Sequence, residues 1–198
     1  STTVTVTARD ANGNPVVGAS VTLSATGDGN AITQPAATTD VNGVATGRFG
    51  STVAQDKVLS ATIAGVGITQ TAAVSVTAAA ISDTASSVSV DPSTVAADGS
   101  SATVTVTVRD RFANPIAGAT VVLAATGAGN TLTQPVAVTD ANGVATGTLA
   151  SVSAGSKLIS ATADGVALAD SVTLTVNAAG VSGTQSSLNV DPTTIVAG

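Results

Sequence analysis

Cysteine, histidine, methionine, tryptophan, tyrosine and glutamate are all missing from this chain of 198 residues, and its only aromatic side chains are Phe49 and Phe112. Without cysteine there is no disulfide framework and no thiolate metal site. Without histidine the commonest general base and zinc ligand is gone. Charge is scarce too: 9% of the residues are charged, where a typical soluble domain has about 25%. The surface must therefore be covered by Thr, Ser, Ala, Asn and Gly, which repel neighbouring molecules weakly.

The charges present are twelve Asp against four Arg and two Lys, a net of -6. An acidic chain without basic clusters or stacking aromatics is a poor nucleic-acid binder. Its hydrophobicity comes as Val/Thr and Val/Ser alternation, with no run near the roughly 18 apolar residues of a membrane helix, so no membrane span is expected. The opening STTVTVTARD has no basic region ahead of an apolar block, so no export signal is expected in it.

What is present is a repeat. TDVNGVATG at Thr39–Gly47 returns as TDANGVATG at Thr139–Gly147, one hundred positions later, and Ser1–Asp10 matches Ser101–Asp110. The alignment runs on without insertion or deletion, with roughly half the positions identical, so one fold is used twice. Shared turn residues at fixed offsets, Asn14-Pro15 with Asn114-Pro115 and Gly27, Gly29, Asn30 with Gly127, Gly129, Asn130, hold the loop lengths alike. Asn42-Gly43 and Asn142-Gly143 carry a strong β-hairpin signal.

The second period predicts strands at 87–95, 102–109, 119–125, 136–139, 144–150, 157–163 and 166–176. Short strands separated by Gly, Asn, Asp and Pro turns are the pattern of an immunoglobulin-like sandwich. The expected fold is all-β, with tandem immunoglobulin-like β-sandwich domains and the Val104, Val106, Val108 face turned inward. Ala-rich spots such as Ala78–Ala80 are too short for helices.

The expected organisation is a domain at 1–79 lacking its first strand, a linker at 80–85, a complete domain at 86–178, a second linker at 179–185, and at 186–198 the first strand of a following repeat. The first linker lacks a Gly/Ser or Pro run, which favours a short, semi-rigid joint. SSVSVDPSTV at Ser86–Val95 and SSLNVDPTTI at Ser186–Ile195 are counterparts. Either a longer array continues past this chain, or the last strand is donated to the vacant edge of another subunit. Both imply domains in a row.

GNPVVGASVTL at Gly13–Leu23 and TDVNGVATG at Thr39–Gly47 resemble the bacterial Ig-like repeats of the invasin and intimin type, and the resemblance covers essentially the whole chain, twice. It implies extracellular rods that hold an adhesive tip off the bacterial surface or build surface fibres. A stalk or filament segment is the expected role, with copies of itself or neighbouring repeats as end-to-end partners and lateral fibre contacts besides. A ligand-binding adhesin module is the alternative.

Candidate sites are few. With no His or Glu, and only Lys57 and Lys157 as lysines, the usual nucleophile and base pairs cannot be assembled, and no catalysis is expected. A glycan platform would need exposed aromatics; Phe49 reads as core. No cofactor is expected beyond calcium, for which the chain has oxygen ligands: Asp83, Asp110, Asp140, Asn142 and Asp164 fall in loops that strand parity places at one end of the second domain. The competing reading makes them ordinary Asp-Gly and Asn-Gly turns. A partner site is looked for where the repeats diverge most, at Arg111 and Phe112, which replace Ala11 and Asn12.

Overall fold

A computed structural model describes residues 1–191 and 193–195. Among these residues there are strands and turns and no helix, hence none long and apolar enough to cross a membrane. The first unit comprises β1 (Thr2–Thr7), β2 (Val21–Ala25), β3 (Asn30–Thr33), β4 (Val44–Ser51), β5 (Asp56–Ile63), β6 (Val66–Gly67) and β7 (Ala72–Ser75). The second comprises β8 (Ser87–Asp91), β9 (Thr94–Ala96), β10 (Ser101–Thr107), β11 (Val121–Ala125), β12 (Asn130–Thr133), β13 (Val144–Ser151), β14 (Gly155–Ala163) and β15 (Val166–Asn177).

In the second unit the sheets run β12-β13-β10-β8 and β11-β14-β15-β9. All pairings are antiparallel except β9 with β15. Alternation does the rest: Val104, Val106 and Val108 turn inward with no exposed surface, against Leu123, Ile159 and Leu174 from the other sheet. Each such side chain contributes about 1.5–3 kcal/mol of burial. The result is an immunoglobulin-like sandwich.

The first unit repeats it in part, with sheets β1-β4-β3 and β2-β5-β6, and β7 also on β5. Its buried cluster shrinks to Val6, Val21, Leu23, Ala45 and Ala61. One strand, β15, becomes two short ones, β6 and β7, and Ile68 is exposed where Leu168 is buried. Leu168 belongs to a core that includes Val88 of β8, a strand with no counterpart among the described residues of the first unit.

Three local expectations are corrected. The expected strand at 87–95 is two strands on two sheets, β8 on β10 and β9 on β15, separated around Pro92, which has no N–H for a ladder. No strand forms at 136–139; the short strand lies earlier, at β12. There Gln134 acts as a surrogate strand residue: its Oε1 accepts from Leu123 N–H at 2.7 Å and its Nε2 donates to Leu123 carbonyl at 2.9 Å, and Pro135 follows. Nor do Asn42-Gly43 and Asn142-Gly143 join two strands. They lead into β4 and β13 from irregular segments, while the two-residue hairpins sit at Ala64-Gly65 and Asp164-Gly165, between paired Ile63/Val66 and Ala163/Val166. All four turn residues there have positive φ, as a hairpin turn matched to strand twist requires.

The repeated TDxNG stretch is a folding motif. Thr39 Oγ1 accepts from Ala19 N–H and donates to Val16 carbonyl, tying two loops. Asp40 Oδ1 accepts from the N–H groups of Asn42 and Val44. Gly43 has φ +76° and lies so close to the Ala8 carbonyl that a Cβ would collide with it.

Candidate functional site

The loop from Asp110 to Asn114 is a densely hydrogen-bonded polar group at the boundary of the two units. Asp110 is fully buried, and all its acceptor capacity is used. Oδ1 accepts from Phe112 N–H at 2.8 Å and Asn114 N–H at 2.9 Å. Oδ2 accepts from Asn114 Nδ2 at 2.8 Å and from Ala79 N–H, just before the linker, at 2.8 Å. Burial works to raise its pKa, but the four bonds outweigh it, from the Asn114 side chain above all, and hold the carboxyl below its usual range.

Asn114 completes the joint. Its Nδ2 also donates to Thr52 carbonyl, and its Oδ1 accepts from Ala54 N–H, each at 2.9 Å. Thr52 and Ala54 lie in the β4–β5 loop of the first unit, so one loop of the second unit grips both the linker and the preceding unit. The linker is knitted on further: Ser82 N–H donates to Arg109 carbonyl at 2.8 Å, Ile81 bridges to Asp110, and Ser86 Oγ accepts from Arg109 N–H at 3.0 Å. Few residues between the units are left to bend.

The first unit holds the same loop. Asp10 accepts from Asn12 N–H, Asn14 N–H and Asn14 Nδ2, and its pKa is lowered chiefly by the Asn14 side chain. Asp10 and Asn14 are exposed where Asp110 and Asn114 are buried.

The acidic candidates lie in separate turns. Asp140 caps its own turn, accepting from Asn142 N–H and Val144 N–H, with its pKa lowered first by the Val144 bond. Asp164 accepts from Thr120 N–H at 2.8 Å, and Asp83 from Thr84 N–H at 2.9 Å. Asn142 stays exposed in the Asp140 turn. Among the described residues no group of three or more acidic side chains could hold a metal ion. Arg111 and Phe112 do meet: the guanidinium lies 4.6 Å from the ring centroid, with Phe112 43% exposed beside the clamp.

Residues that proved central, Asn114 and the Thr52–Ala54 loop, carried one signal in the sequence, the repeated Asn-Pro. It pointed to a turn and did not reveal the contact across units. Asp170, whose Oδ2 accepts from Val88 N–H at 2.9 Å, carried none, because its partner is distant in sequence.

The class follows from this architecture: tandem β-sandwiches of the bacterial immunoglobulin-like kind. The chain belongs to the family described as bacterial Ig-like domain (group 1), which it matches over residues 1–78 and 85–184. Among solved structures it is similar to Yersinia pseudotuberculosis InvD, with 23% identity, 94% of this chain and 55% of that one covered, and TM-score 0.64. It is also similar to FdeC, an Escherichia coli adhesin, with 27% identity, 90% and 59% covered, and TM-score 0.52. Against invasin, a bacterial integrin-binding protein, the figures are 26%, 89% and 36%, and 0.49. The chain thus spans little more than half the length of the first two. No curated protein sequence matches it.

Proposed function

We propose that this chain is a segment of an extracellular bacterial stalk or surface filament, built from Ig-like units set end to end. The observation that carries the reading is the Asp110–Asn114 clamp, which ties linker and preceding unit to the following one with charge-assisted and buried hydrogen bonds. Such a joint suits a part that bears load and keeps its direction. The side chains offer little chemistry beyond this. Small-angle scattering of the 198-residue chain and of Asn114→Ala tests the stiffness. The native chain should scatter as one particle of fixed length and the variant as a distribution of bent forms; identical profiles would remove the clamp from the account.

A second reading, a binding module within an adhesin, is favoured by the exposed Arg111–Phe112 pair and by the likeness to an adhesin. Binding of the chain to host cells, lost in Arg111→Ala/Phe112→Ala, would select it.

A further inference from the structure

We infer that the segment Gln134–Thr139, and its counterpart Gln34–Thr39, is an edge-guarding strap: it occupies the open side of an outer strand and keeps copies of this chain from joining there, sheet to sheet. The inference goes beyond the stalk reading, since it concerns molecules lying side by side.

An outer strand presents unpaired N–H and C=O groups on which another strand can grow. β11 is such a strand, at one end of β11-β14-β15-β9, and β2 is its counterpart in the first unit. Charge gives little protection in a chain with 9% charged residues. Along β11 the main-chain groups of alternate residues point toward β14 and away from it. Leu123 points away, and its N–H and carbonyl are both taken by the Gln134 amide, at 2.7 and 2.9 Å. Ala119 points the same way; its N–H donates to Thr139 Oγ1 and its carbonyl accepts from Thr139 N–H, each at 2.9 Å. Val121 lies between these two fastenings, so an incoming strand reaches it only by displacing one of them. The first unit repeats both fastenings, between Gln34 and Leu23 at 2.7 and 2.9 Å and between Thr39 and Ala19 at 2.9 Å each.

The strap does not become a new edge in its turn. Residues 134–139 form no strand, and Pro135 has no N–H to extend a ladder. Room for the crossing from β12 to β11 is made at Gly147, where a Cβ would collide with the Thr133 carbonyl and the Leu123 side chain; Gly47 meets the matching Thr33 and Leu23 atoms. Neither glycine has a left-handed φ, so what the position requires is space. The strap is held by polar contacts: Val136 and Val138 are 99% and 51% exposed, while Thr139 Oγ1 donates to the Ile116 carbonyl at 2.7 Å. Removing the glutamine amide therefore opens the edge and leaves the core filled.

The test removes the guard and keeps the fold. Gln34→Ala/Gln134→Ala is compared with the native chain and with Ile159→Val, which loosens the core and leaves both straps intact. In sedimentation the double variant should self-associate at least about tenfold more tightly than the native chain, and Ile159→Val should not. In the associated form the Leu23 or Leu123 amide should be protected from hydrogen exchange. Adding Thr22→Lys/Val122→Lys, on the exposed face of β2 and β11, should disperse the assembly without restoring the melting temperature. Gln134→Ala alone, with the first strap intact, gives the same comparison if the double variant does not fold. A folded variant no more associated than the native chain, equal association of Ile159→Val, an assembly in which both leucine amides exchange freely, or association untouched by the lysines would each overturn the inference.

Discussion

At the scale of single residues, the repeats are a natural mutational experiment. Asp164 and Ala64 hold the same hairpin position at positive φ. Asp tolerates that region better than Ala, and Asp164 also accepts from Thr120 N–H, a bond Ala64 cannot make. Ala64→Asp should therefore stabilise the first unit by about 1 kcal/mol, read as a shift in its denaturant midpoint. Gly143→Ala should do the opposite: φ is +77°, and a Cβ would meet the Val108 carbonyl. A loss of about 2 kcal/mol or more is expected from the second unit's unfolding curve. Asp110 gives a pH dependence. Its folded pKa lies below that of the unfolded chain, so its contribution is present above about pH 4 and is lost as pH falls through the lower folded value. Asp10, Asp98 and Asp140 are lowered as well. The diagnostic is therefore the difference between wild type and Asp110→Asn: thermal melting from pH 7 to 2.5 should converge for the two proteins only at the acid end.

At the scale of elements, the joint is held by the protein's own donors. The Asp110 carboxylate would have to release buried N–H groups to take a metal, so added calcium or a chelator should leave the melting temperature unchanged to within about 1 °C, as far as this group decides it. A rise with calcium would show that the acidic turns cooperate in a way their separate hydrogen bonds do not suggest. The sequence already contained the strands with clean Val/Thr alternation, because period-two patterning is a local property. It misplaced the strand near Val136 and the hairpin near Asn142 because what decides those is remote: Gln134 bonding to Leu123, and Thr139 tied to Ala119 and Ile116.

At the scale of the whole molecule, the two units have one topology and unequal closure. In the second, β10 is flanked by β8 and β13; in the first, among the described residues, β1 pairs with β4 alone. Amide hydrogen exchange should therefore run at least about a hundredfold faster in β1 and β7 than in β10 and β15, since an open edge and a smaller buried cluster lower the cost of local opening. Equal protection would mean that a second neighbouring strand, such as β8 beside β10, contributes little to closure.

Composition and periodicity alone determined the sandwich class, the repeat and its turn positions, and the scarcity of catalytic side chains, because each depends on residue type and near-neighbour spacing. Tertiary structure alone decided that Asn114 would grip Thr52 and Ala54 and that Asp110 would be buried against Ala79. Those depend on which surfaces meet across large separations along the chain, where desolvation and hydrogen-bond geometry, and no local preference, select the partner.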